Sequence, residues 1–275
     1  MDYSMRMNGI LSLIVVMLLS TVLFAGVGDA NVIRTGDTIQ FCHNAQNAGD
    51  HVSIAQTSAS NGQLSWNYTT KGAVYSSPIV SNGIVYVGSY DHNVYALNAA
   101  TGAKVWNYTT LGPVIRRPAF ANGIVYVASD DHNVYALDAN TGTKVWSYDT
   151  GDLMSSPTVA NGIVYVGSDD HNVYALNAAT GAKVWSFATN GVIWSAPGIA
   201  NGIVYVGSWD NNVYALNATT GAKVWSYTIG NIVYTTTAIS NGIVYVGGGG
   251  GVIYALNAAT GAKVWSYDTG GPVSD

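Results

Sequence analysis

Three histidines recur at one position of a repeating pattern: His92 in YDHN, and His132 and His171 in DDHN. Equivalent imidazoles suggest a shared metal centre. The pairs Asp130-Asp131 and Asp169-Asp170 suggest a loosely held surface cation. Spacing argues against the first idea. Each histidine falls in a tight turn between two short strands, a place where His tolerates positive φ better than most residues. Strands lie ~4.8 Å apart, so equivalent turns of neighbouring units stand roughly 10 Å or more from one another. Zinc holds its ligands at about 2 Å. The aspartate pairs lack the Asp-x-Asp-x-Asp-Gly spacing of a calcium loop. Proton-transfer groups are also sparse. The chain contains no Glu, and its single cysteine, Cys42, excludes both a cysteine metal cluster and an internal disulfide. No catalytic residue, metal site or cofactor is assigned.

More informative is where the repeats differ. At the start of the first strand of each unit, Tyr75, Ile115, Met154, Trp194 and Tyr234 align. Next come Ser76, Arg116, Ser155, Ser195 and Thr235, then Ser77, Arg117, Ser156, Ala196 and Thr236. A second variable column holds Tyr90, Asp130, Asp169, Trp209 and Gly249. If both columns share a face, they form a funnel of aromatics with one arginine pair. Aromatics give stacking area and Arg gives directed donors. The candidate ligand-binding residues are therefore Tyr75, Arg116, Arg117, Met154, Trp194, Trp209 and Tyr234. Drift at positions that packing does not restrain gives the same pattern.

The element that must position these residues is the stretch Asn82 to Trp106. It returns from Asn122, Asn161, Asn201 and Asn241, in steps of 40, 39, 40 and 40 residues. A fixed period in this range marks a repeat architecture. Each copy holds short apolar strands such as IVYVGS, NVYALN and KVWNYTT, and a further strand, Tyr75 to Val80, precedes the Asn-Gly. Asn-Gly between two such runs signals a hairpin. One unit is thus a four-stranded antiparallel meander, and four strands per unit of this length is a β-propeller blade. The fold class expected is all-β, a propeller of five full blades with an irregular sixth. The blades run approximately over 73–110, 113–150, 152–189, 192–229 and 232–269. Residues 63–70 match the last strand of a blade. Either residues 37–70 supply the sixth blade, with strands near Ile39–Cys42 and Val52–Ala55, or the chain is part of a longer array with open edges.

Trp66, Trp106, Trp146, Trp185, Trp225 and Trp265 recur once per unit. Each is expected to lie across the neighbouring blade at a glycine: Gly102, Gly142, Gly181, Gly221 or Gly261. The Thr before each glycine, and Asn98, Asp138, Asn177, Asn217 or Asn257, can hydrogen-bond the turn. Over residues 63–269 the chain resembles the pyrroloquinoline-quinone-like propeller repeat family, whose docking motif is A-x-D-x-x-T-G-(x)-K-x-x-W. Asn replaces the motif's Asp in four of the five copies. The run Gln40 to Gly49 also resembles the F-x-H-D-x-x-x-T-G segment of exported members. Relatives include quinoprotein dehydrogenases and a scaffold lipoprotein of outer-membrane assembly, so the resemblance implies the fold and leaves the function open. Quinone enzymes of the family use adjacent cysteines, an Asp base, and calcium held by Glu and Asn. This chain has neither the cysteine pair nor any Glu.

Composition narrows the rest. Of 275 residues, 48% are hydrophobic and only 9% charged, and 19 Tyr with 32 Gly fit strands and tight turns. A net charge of −5 gives no basic surface for nucleic acid. Residues 1–30 pair Arg6 with the apolar run Ile10 to Phe24 and end on Gly28-Asp29-Ala30, which reads as a secretory signal cleaved near Ala30. The run is short of the ~20 residues of a spanning helix, so retention as an anchor is the lesser expectation. Residues 31–62 are irregular, and 63–275 hold the repeats. Asn67, Asn107 and Asn217 head glycosylation sequons, relevant on a glycosylating surface. The expectation is a secreted or cell-surface binding or scaffold module for a protein, peptide or glycan, with no catalysis. The alternatives are a structural surface repeat protein and a quinone dehydrogenase.

Overall fold

A computed structural model describes residues 37–41, 53–58, 64–271 and 273. The expected signal segment lies outside them. Every regular element described is a β-strand. Strands β1 (Asp37–Phe41), β2 (Ser53–Ser58) and β3 (Leu64–Thr69) form an antiparallel three-stranded sheet overlapping the strands expected there. The first four-stranded sheet orders β4 (Ile79–Ser81), β5 (Ile84–Gly88), β6 (Asn93–Asn98) and β7 (Lys104–Thr109). Four more sheets repeat it. Their innermost strands are Ala119–Ala121, Thr158–Ala160, Gly198–Ala200 and Ala238–Ser240. Innermost strands of consecutive sheets are neighbours, which is the radial order of a propeller. The innermost strand is shorter than expected. Pairing starts at Ile79 instead of Tyr75, and the last sheet, with Thr237 at the proline position, starts at the same register.

Alternation along β5 and β6 sends side chains to two different neighbours, and both sides are buried. Tyr86, Val94 and Ala96 pack forward against Val125, Val127 and Leu137 of the next sheet. Val85, Val87, Tyr95 and Leu97 pack backward against Trp66. This explains why IVYV and VYAL are apolar at consecutive positions: each sheet is a filling between two others. The hairpins carry Asn82 at φ 51° and Gly83 at φ 74°, values that a β-branched residue would resist.

The strand ends form two rims. The β4–β5 hairpin and the β6–β7 turn meet at one end, where Ala99 N–H donates to Gly83 O at 2.8 Å. We call this the hairpin rim. At the other end the β5–β6 turn meets the connector arriving from the previous sheet, where Tyr90 N–H donates to Ala73 O at 2.8 Å. This is the connector rim.

Candidate functional site

On the hairpin rim each indole lies across the next sheet's glycine. A Cβ on Gly142 would stand 2.7 Å from Trp106 Cδ2, and one on Gly181 would stand 2.7 Å from Trp146 Cδ2. Gly102, Gly221 and Gly261 receive Trp66, Trp185 and Trp225 in the same way. The indole N–H groups are satisfied across the sheet boundary. Trp106 Nε1 donates to Ala139 O at 2.8 Å, and Tyr86 OH donates to the same carbonyl at 3.1 Å. Trp265 departs from this pattern. It stands on the outermost strand of the last sheet, Lys263–Asp268, which is exposed along its length, and the indole is 44% exposed. No glycine turn faces it among the described residues, so its expected docking contact is not seen there.

The connector rim is built differently. In four sheets an aspartate latches the β5–β6 turn. Asp91 Oδ2 accepts Tyr95 OH at 2.6 Å and Lys71 N–H at 2.9 Å, so one carboxylate ties the strand to the incoming connector. Asp131 does the same for Tyr135 and Leu111, and Asp210 for Tyr214 and Asn190. Asp170 bonds Tyr174. Burial and these bonds raise the tyrosine hydroxyls well above their usual range. For Asp91 and Asp210, burial pulls upward, but the donated bonds outweigh it and hold the carboxyls below the ordinary value. Sequence reasoning missed this latch, although Asp followed four residues later by Tyr recurs in four of the units. His92, His132 and His171 follow the aspartates at φ 69°, 70° and 73°, as Asn211 does at 71°. Their shared role is the left-handed turn.

The column of Ser76, Arg116, Ser155, Ser195 and Thr235 also has a structural use. Gly88 N–H donates to Ser76 Oγ at 3.2 Å, Gly167 N–H to Ser155 Oγ at 2.9 Å, and Gly207 N–H to Ser195 Oγ at 2.8 Å. Thr235 serves Gly247 at 2.9 Å. The second sheet breaks the pattern at both partners, with Arg116 for the hydroxyl and Ala128 for the glycine. Arg116 is released from the latch and reaches the third sheet instead, where its Nε donates to Met154 O at 2.8 Å.

Met154 is not at the channel mouth. It is 2% exposed and packs with Val134, Val164 and Val166. Asp169 N–H donates to Leu153 O, as Asp130 N–H does to Pro113 O and Trp209 N–H to Val192 O. Met154 therefore stands at the register of buried Val114 and Ile193, not of Ile115 and Trp194. The cause is the single 39-residue step: this connector is one residue shorter, and the missing residue is the one that would have faced out.

Other residues of the two columns meet. Tyr75 and Tyr90 form an edge-to-face pair with ring centroids 6.3 Å apart. Trp194 and Trp209 lie 4.5 Å apart at 59°. Tyr234 sits beside Gly249, where an added Cβ would come within 3.3 Å of its ring. Arg117 is exposed, and its backbone N–H donates to Ser156 Oγ at 3.1 Å. The densest cluster lies over the shortened third connector. Trp194, 40% exposed, donates its Nε1 to Asp169 Oδ1 at 2.5 Å from the fourth sheet. Arg116 approaches from the second. Trp209 Nε1 beneath them is buried with no hydrogen-bond partner among the described residues. Burial pushes the Asp169 carboxyl up, with Asp152 and Asp130 adding to it, while the Trp194 bond and Arg116 pull it down. Asp130 is likewise raised, chiefly by burial, with Arg116 opposing. The arrangement is a partly exposed indole beside carboxylates that are poorly solvated and incompletely compensated. Its chemistry is that of aromatic stacking and hydrogen-bond acceptance.

A family model described as outer membrane protein assembly factor BamB matches residues 48–116, 110–192 and 188–275. The chain belongs to this BamB family of propeller repeats. Three solved structures share the fold. BamB from Moraxella catarrhalis is 21% identical with a TM-score of 0.69, over 83% of this chain and 75% of that one. The computationally designed Ika8 protein is 19% identical with a TM-score of 0.74, over the same shares of 83% and 75%. The quinohemoprotein alcohol dehydrogenase ADHIIG from Pseudomonas putida HK5 is 22% identical with a TM-score of 0.63. That match covers 71% of this chain but only 42% of the dehydrogenase. No curated protein matches the chain. Identities this low carry the BamB-family architecture and leave the chemistry of the rim to be argued from its own residues.

Proposed function

We propose that this protein is an exported, non-catalytic propeller of the cell envelope whose connector rim is a binding platform for a partner protein, peptide or glycan. One observation carries the reading. Repeats that are nearly copies diverge at one rim, and there Arg116, Asp130, Asp169, Trp194 and Trp209, from three sheets, form one cluster. The family description, an assembly factor of outer membrane proteins, supports a protein partner and an envelope location. A dehydrogenase reading draws on the structural likeness to a quinohemoprotein. Against it stand the absence of Glu from the sequence and the lone Cys42. A structural role as a surface repeat protein draws on the uncovered Trp265 strand.

In-cell photocrosslinking tests the platform. A photoreactive residue at position 194 is expected to trap a discrete partner that the same residue at position 144, on the hairpin rim, does not. Adducts absent from 194, or equal from both positions, remove the proposal.

A further inference from the structure

Charge is segregated between the rims. In the four-stranded sheets Lys104, Lys144, Lys183, Lys223 and Lys263 each open an outermost strand at the hairpin rim, where Asp138 is the sole carboxylate of those sheets. The connector rim carries the latch aspartates, the strand-end Asp149 and Asp268, and, around the third connector, Asp130, Asp152 and Asp169. Lys71, Arg116 and Arg117 answer them among the described residues, with His92, His132 and His171 in the same turns; the Arg116 charge acts on both Asp130 and Asp169 while its Nε donates to Met154 O. The rim is thus acidic although the whole chain is only −5. At its centre the Trp194 indole is partly exposed and its N–H is held by a carboxylate. That N–H bond keeps the carboxylate at the edge of the ring, while Trp209 packs against the indole at a centroid distance of 4.5 Å. A cation is attracted by both features, an anion by neither. The orphaned Trp209 N–H beneath is a further cost that the fold carries at this spot, as binding sites do.

We propose that the cluster over the third connector docks a lysine- or arginine-rich segment of a partner protein, one cationic head resting between the Trp194 face and the carboxylates of Asp169 and Asp130. The inference rests on the platform reading and names the chemistry of its partner. Neutral sugars also stack on indoles and donate hydroxyls to carboxylates, but they gain nothing from the net charge of the rim. A basic segment uses both the indole and the field.

Fluorescence anisotropy with the purified protein tests this. The probes are labelled peptides of equal length, one rich in Lys and Arg, one in Asp and Glu and one neutral, together with a labelled neutral oligosaccharide. The basic peptide is expected to bind and the acidic one not. Trp194→Ala and Asp169→Asn are each expected to weaken the basic peptide by about tenfold, the scale of a desolvated cation–aromatic contact. Asp138→Asn, which installs the residue the other copies carry and sits on the opposite rim, is expected to leave affinity unchanged. Trp194 is exposed, so its removal leaves the fold intact, which a matching thermal melt verifies. Absence of basic-peptide binding overturns the inference, as does binding indifferent to Trp194→Ala and Asp169→Asn, or equal weakening by Asp138→Asn. Neutral-peptide or oligosaccharide binding lost in Trp194→Ala, with the basic peptide inactive, sinks the cationic partner and leaves the platform standing. A panel in which nothing binds removes both.

Discussion

At the hairpin rim, sheet after sheet repeats one contact: indole on glycine, indole N–H on the alanine carbonyl beside it. At the connector rim the same strands end in Tyr75 and Tyr90, in Arg116 and Asp130, or in Trp194 and Trp209. The difference teaches where each constraint comes from. A sheet in the middle of the array must accept one indole and offer another, so that rim tolerates little change. The connector rim meets solvent, and beneath its latches the outward positions are free to specialise. Even there the latch aspartates and the Ser–Gly bonds recur wherever they hold the connector down.

The comparison breaks most visibly at tryptophan. Trp146→Ala is expected to cost about 3–5 kcal/mol, the usual penalty for emptying a buried aromatic site. Trp265→Ala, where the ring is exposed and no following sheet covers it among the described residues, is expected to stay within about 0.5 kcal/mol, as surface changes do. Thermal or urea melts of the two variants decide it, and equal losses would mean that docking is not what buries the indoles.

Next come the two kinds of connector-rim carboxylate. Asp210→Asn should destabilise by about 1–3 kcal/mol at neutral pH, since it weakens acceptance from buried Tyr214 and from the connector. The carboxyls of Asp91 and Asp210 are held low in the folded state. Their contribution is therefore present above the ordinary carboxylate range and lost as pH falls through the folded value. Asp130 and Asp169 are held high. The sign reverses: the folded state keeps their protons longer, so stability falls as pH rises from the ordinary carboxylate value through the folded one. Asp169→Asn should then match or slightly exceed the parent in melts at pH 7, with any gain vanishing at acid pH. A clear loss at pH 7 would show that Asp169 is another latch. The smallest effect expected is that of Asp138→Asn, with an unchanged melting temperature. A drop there would mean that the five turns are not interchangeable.

Much of the fold is legible in residue order. Asn-Gly announces each hairpin, Thr-Gly each docking turn, and consecutive apolar positions in IVYV and VYAL imply burial on both faces. These are local rules repeated five times, so one correct reading propagates. Met154 shows where such reading stops. Aligned backward from Pro157 it belongs to the exposed column; in space it fills a core position, because the missing residue lies on the other side of it. A deletion inside a connector has no location in sequence until hydrogen bonds to the neighbouring turn assign one. Asp169 escaped notice as a site residue for a related reason: its partner Trp194 comes from the next sheet, 25 positions along.

By itself the sequence determined the strands, their period, the hairpins and the seats for the indoles, because each depends on φ preferences and side-chain alternation within a few residues. Tertiary structure alone decided which variable residues meet, which carboxylates are latches and which stand poorly compensated, and that Trp265 is exposed where the other docking indoles are buried. Those outcomes depend on distances between separate sheets and on how much water each group has lost, and neither is encoded within one repeat.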